Sequence, residues 1–87
     1  MFTRIIESEL YGQILLIKDY EPEDDMDTIR FCVKPESLGL CEAVLKWSSE
    51  DRRDAAFDSV TVEQSEEVVK DIFTTAAILS EDEDEQE

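Results

Sequence analysis

The sequence predicts a small two-layer α+β domain, a four-stranded antiparallel meander followed by two helices packed on one face. Two patterns carry the prediction. Four stretches in the first half have strand-like apolar patterning broken by turn residues, and the second half switches to helical apolar spacing. Helices that follow such a meander usually cover one face of the sheet. A length of 87 residues supports one core and not two. The 41% hydrophobic content is high enough for residues 1–80 to form that core.

Phe2 to Leu10 reads as the first strand and Tyr11-Gly12 as the turn that ends it. Gln13 to Tyr20 is the second. Its run Ile14-Leu15-Leu16-Ile17 puts apolar groups on both faces, as in a central strand. The proline and like-charge density of Glu21 to Asp27 make a loop. Thr28 to Lys34 alternates, with Ile29, Phe31 and Val33 opposed to Arg30, Cys32 and Lys34. Pro35 to Gly39 connects it to Leu40–Ser48, where Cys41, Ala43, Leu45 and Trp47 oppose Glu42, Val44 and Lys46. The two thiols fall on opposite sets if each of these apolar sets is core. Pairing about the hairpin centre would instead set them nearly opposite each other and permit a disulfide, so register and buried face are in tension. Reduced thiols are expected, because nothing indicates an oxidising compartment.

Ser48 with Asp51, or Ser49 alone, caps a short helix through about Phe57. Thr61 with Gln64 fits a capping box for a second, longer helix, whose Val68, Val69, Ile72, Phe73, Ala76 and Leu79 form a stripe at helical spacing. Residues 81–87, Glu-Asp-Glu-Asp-Glu-Gln-Glu, are expected to be a disordered acidic tail.

Charge is the outstanding feature of the composition. There are 24 Asp and Glu against 8 Lys and Arg, no histidine, and a formal net charge of −16. The tail holds six of those carboxylates, so the body is acidic as well. Free nucleic acid and anionic membranes should repel such a chain, and basic protein surfaces should attract it. Solubility or adaptation to high salt would also account for the acidity. The first seven residues lack a charged region leading into a long apolar run, and the longest uninterrupted aliphatic run is Ile14 to Ile17. Neither a signal peptide nor a membrane span is expected, and a cytoplasmic location is.

Most chemistry finds no support. General-base and nucleophilic mechanisms usually need a group titrating near neutrality, and histidine is absent. Gly12 and Gly39 are the only glycines, too few for a phosphate loop. Two cysteines without histidine do not make a zinc site. Glu23 to Asp27 lacks the ligand spacing, central glycine and terminal glutamate of a calcium loop. No enzymatic activity, cofactor or metal is expected.

What stands out is where the signs of charge fall. Arg4, Lys18, Arg30 and Lys46 lie on strands, and Lys34 sits at a strand end, where they can pair with Glu7, Asp19 or Glu42. The long helix instead carries Glu63, Glu67 and Asp71 as successive i,i+4 neighbours, with Glu66 beside them and only Lys70 to offset them. The helix dipole favours Glu63 near the N-terminus and does not account for Asp71 two turns in. A solvated face without a partner would carry the same residues. The binding reading takes Glu63, Glu66, Glu67 and Asp71, assisted by Glu23, Asp24, Asp25 and Asp27, as a partner-binding surface.

On that reading the chain is a non-enzymatic acidic binding protein. It would imitate nucleic-acid phosphate and so inhibit or neutralise a basic DNA- or RNA-handling protein, such as a nuclease or defence effector. In size, acidity and missing catalytic groups it resembles phage DNA-mimic inhibitors and bacterial immunity proteins in general character, without a motif of either. The alternative is a small phage or bacterial structural or accessory domain, its acidity serving solubility or salt adaptation. It would homo-oligomerise through a sheet face bearing Leu15, Ile17 and Val44, which are equally readable as scattered surface hydrophobes.

Overall fold

Strands β1 (Thr3–Ser8), β2 (Gly12–Glu21), β3 (Met26–Val33) and β4 (Cys41–Trp47) pair in sequence order, all antiparallel, in the computed structural model. Helices α1 (Glu50–Ser59) and α2 (Val62–Gln86) follow. The structure describes residues 3–35 and 39–86, with side chains up to residue 79. Part of the expected 35–39 connection and the side chains of the acidic stretch from residue 81 lie outside the described residues. The predicted four-strand, two-helix α+β fold is the one observed.

Both helices lie on one face of the sheet. α1 rests on β2, β3 and β4, and α2 on β1, β3 and β4. Between the layers sit Ile6, Ile14, Leu16, Ile29, Phe31, Val33, Phe57 and Val69, all buried. Strand alternation explains the choice: Ile14 and Leu16 are 0% exposed, whereas Leu15 and Ile17 point to the opposite, uncovered face and are half-buried. Cys41, Ala43 and Trp47 pack against the core, so the alternation of β4 selects its inner face correctly.

Register resolves the cysteine question. Cys32 pairs with Glu42 and Cys41 with Val33, so the hairpin is offset by one from a symmetric pairing. A one-residue offset sends the two side chains to opposite faces. Both thiols are free.

Two boundaries shift for local reasons. β1 ends at Ser8, because Ser8 Oγ accepts from the N–H groups of Leu10 and Tyr11, each at 3.1 Å, and turns the chain there. β3 begins at Met26 rather than Thr28. Asp25 takes φ 54°, which tightens the turn and lets Met26 pair with Glu21.

The helix starts follow the cap chemistry. Ser49 accepts from Arg52 N–H at 3.4 Å. The capping box is reciprocal: Gln64 N–H donates to Thr61 Oγ1 at 3.1 Å and Thr61 N–H to Gln64 Oε1 at 2.9 Å. Along α2, Val69 and Ala76 are buried and Val68, Ile72 and Phe73 pack on the core. The stripe leaves the sheet before Leu79, which is 47% exposed. Twenty-five residues make about 37 Å of helix, longer than any strand beneath it.

Arg53 joins α1 to the sheet. Its side chain is buried, and one terminal nitrogen donates to the backbone oxygens of Asp19 at 2.6 Å and Thr28 at 3.3 Å. Nε donates to Asp54 Oδ1 at 2.8 Å, and the other nitrogen lies within 4 Å of Asp27 and Glu50. Arg4 performs a second join, donating to Phe57 O at 2.5 Å and Val60 O at 3.5 Å, where α1 leaves carbonyls unpaired and its dipole end is negative.

Replacing Arg53 by alanine removes these bonds and leaves buried carbonyls unpaired, so Arg53→Ala should lose about 3 kcal/mol of stability. The exposed neighbour Arg52→Ala should change it by less than about 0.5 kcal/mol. Urea unfolding with equal m-values checks both, and equal losses for the two arginines would refute the role given to Arg53.

Candidate functional site

The carboxylates proposed from the sequence divide into two groups at opposite ends of the sheet. Glu63, Glu66 and Glu67 line an open groove between the first turns of α2 and the β1–β2 turn, together with Leu10, Tyr11, Gln64 and Lys70. Glu23, Asp24 and Asp25 lie in the turn at the far end of β2, with Asp27 on the adjoining β3. Ten residues of strand separate the two ends by about 30 Å. The fold therefore does not bring the groups together.

The groups also differ in what their charges already do. In the far group, Asp24 pairs with Lys46, Asp25 accepts from the Tyr20 hydroxyl, and half-buried Asp27 lies 3.8 Å from Arg53. Those three carboxylates hold the β2–β3 turn and the α1 contact, while Glu23 is exposed. Asp27 lies beside Glu50 and Arg53 of α1, in a pocket that no α2 residue lines.

On α2, Glu66 is likewise engaged. Its Oε2 accepts from Ser8 Oγ at 2.5 Å, tying the helix to the end of β1. Glu63, Glu67 and Asp71 are exposed and follow one line along the helix. Their axial spacing is about 6 Å. One strand of DNA carries a charge per about 3.4 Å. The row is thus sparser than a phosphate strand and spans about 12 Å.

Leu10 and Tyr11 are the parts of this site that residue patterning overlooked. Leu10 is 72% exposed beside the carboxylates, and Tyr11 stacks tilted on Phe73 with ring centroids 4.6 Å apart. Ser8 holds both in place through the turn bonds described above. A signal existed: Ser8 falls on the core-facing set of β1 with Ile6, where a hydroxyl needs partners.

The rest of the electrostatics is structural. The Arg53 hydrogen bond, followed by Lys18, holds the Asp54 carboxyl below its ordinary value. Hydrogen bonding to Asp25 raises the Tyr20 hydroxyl, and Asp24 raises Lys46. Burial, then the Glu42 charge, pushes the Cys32 thiol up, which keeps it a poor nucleophile. Among the described residues no three His, Cys, Asp or Glu side chains are placed to hold a metal ion, and no helix is long and apolar enough to cross a membrane. No protein-family model, curated protein or solved structure matches the chain.

Two measurements check these assignments. Ser8→Ala removes the Glu66 bond and the one acceptor of two turn N–H groups and should cost about 2 kcal/mol. Glu63→Ala should stay within about 0.5 kcal/mol. The second concerns pH. Tyr20 and Lys46 have folded values above their ordinary 10.0 and 10.5, so their contribution is complete below those values and is lost as pH rises through the raised ones. Asp54 is lowered from 3.8, so its contribution holds above that value and is lost as pH falls through the lowered one. Melting scans should show an alkaline decline that Tyr20→Phe makes shallower. An unchanged decline in that variant would remove Tyr20 from the account.

Proposed function

We propose that this is a non-enzymatic acidic binding protein whose α2 row occupies the phosphate-binding surface of a basic, nucleic-acid-handling protein. Nucleases, restriction or CRISPR effectors, polymerases and repressors all present such surfaces. The observation that carries the reading is the exposed row Glu63, Glu67 and Asp71, whose carboxylates project away from the core, while Asp24, Asp25, Asp27 and Asp54 are engaged with partners of their own.

Arginine and lysine that hold phosphates form charge-assisted bonds to carboxylates by the same geometry. Exposed Leu10 adds apolar contact at the edge of the row, which a free phosphate strand does not offer. The short span favours a compact cluster of cations over a groove that follows a full turn of duplex. Binding at this face would block the partner's own substrate, which makes the chain an inhibitor or neutralising protein. A cytoplasmic setting belongs to this reading, and two free cysteines on opposite sheet faces suit it.

The test is capture from host lysate at low salt, with and without competing DNA. A basic protein should be retained at one-to-one stoichiometry, displaced by DNA, and released with rising salt. The triple reversal Glu63→Lys, Glu67→Lys, Asp71→Lys should lower that affinity at least about 100-fold while leaving the melting transition cooperative. Unchanged affinity in a folded triple variant, or a partner that DNA cannot displace, would overturn the reading.

A further inference from the structure

We infer that the uncovered face of the sheet is a contact surface for a second copy of this chain, giving a back-to-back dimer with both helix layers outside. The face presents Ile5 at 62% exposure and Val44 at 40%, flanking half-buried Leu15 and Ile17. Toward the β1–β2 turn, Ile5, Leu15 and Cys32 line a shallow groove whose rim is Leu40, 73% exposed. Ile5, Leu15 and Ile17 adjoin one another on β1 and β2, with Arg30 between them and Val44, and an adjoining set differs from singly scattered hydrophobes.

Charge selects the occupant. Three of the chain's eight cations, Arg30, Lys34 and Lys46, belong to this face, among the carboxylates Glu7, Asp19, Glu21 and Glu42 and with Asp24 of the β2–β3 turn bonded to Lys46. At its centre Arg30 bridges Asp19 at 3.4 Å and Glu42 at 3.1 Å. Three cations against five carboxylates leave the face at −2, a small share of the molecule's net charge of −16. A basic partner is steered to the acidic helices and not here. Another copy meets least repulsion here, because stacked sheets lie about 10 Å apart and each helix layer about 10 Å beyond its sheet, which leaves the acidic layers about 30 Å apart. That separation is about three Debye lengths at 0.1 M salt and about one at 0.01 M.

Area sets the strength. Four strands about 4.8 Å apart and about seven residues long cover a footprint of about 440 Å² per copy. Stable interfaces bury about 800 Å² of accessible surface per partner, and the low end is about 600 Å². The footprint of this face lies below that range, so the dimer is expected to be weak and to form only at high protein concentration.

The salt response separates this inference from the acidic-face reading, on which it does not depend. Dimerisation should strengthen as salt rises and screens the residual repulsion, whereas binding of a basic partner should weaken. Sedimentation velocity between about 5 and 200 μM should show a dimer whose dissociation constant falls at least about threefold from 0.01 to 0.15 M salt. Ile5→Lys with Val44→Lys should abolish it with an unchanged melting temperature. Those substitutions lower the overall negative charge, so loss of the dimer would report a change at this face and not added long-range repulsion between the copies. If the lysine variant melts early, Ile5→Thr with Val44→Thr provides the same test with β-favouring residues. The α2 triple reversal should leave dimerisation intact. A monomer at about 200 μM in 0.15 M salt, a dimer that survives both face variants, or one that dissociates as salt rises would overturn the inference.

Discussion

The buried guanidinium of Arg53 is the constraint on which the arrangement of the two layers depends. α1 has a modest apolar face, with Phe57 as its one large buried apolar side chain. Burial of one phenylalanine contributes about 2–3 kcal/mol, which is little to fix the position of a ten-residue helix. Arg53 adds direction: its two backbone acceptors are on different strands, so the helix can dock in one place only. With α1 set there, Phe57 lies under Lys18, whose Nζ is 5.1 Å from the ring centroid and 3.3 Å from Asp54. The end of α1 then meets Arg4, and the capping box at Thr61 starts α2 directly afterwards.

That dependence explains the acidity of the surface better than total charge does. Arg4, Lys18, Arg30, Lys46 and Arg53 all bond within the fold, five of the eight cations in the chain. Arg4, Lys18 and Arg53 do so where the strands meet α1, and Arg30 and Lys46 on the uncovered sheet face and the β2–β3 turn. The carboxylates on the outer side of α2 are left to project with Lys70 alone nearby on the helix. The segregation of charge is thus a consequence of where cations are needed structurally: the sheet and α1 consume them, and α2, docked by Val69 and Ala76, needs none.

Much of the architecture was legible because it rests on local rules. Alternation in Thr28–Lys34 identified Ile29, Phe31 and Val33 as the inner set, and Thr61 with Gln64 marked the start of α2 by the chemistry that caps it. The less legible features join residues far apart in sequence. Ser8 and Glu66 are 58 positions apart, so Glu66 read as part of a free acidic row when it is a strand-to-helix tie. Arg52 and Arg53 are indistinguishable by composition. Only helical phase separates them, since Arg53 shares the face of Phe57 one turn on. The far carboxylates were grouped with α2 because patterning shows sign and density but not which end of β2 a turn occupies.

Energetics alone would not single out the α2 row. Like charges at i,i+4 destabilise a helix by about 0.2–0.5 kcal/mol per pair, and the favourable dipole at Glu63 offsets part of that. A domain stable by several kcal/mol carries such a penalty without difficulty. Asp24, Asp27, Glu42 and Asp54 each sit against a cation because the fold brings one to them, and where a carboxylate matters to the fold a partner is present. Glu63, Glu67 and Asp71 are exposed along one line of α2, where neither packing nor capping calls for an acid beyond the first turn. On the proposed reading, a positively charged partner accounts for their sign.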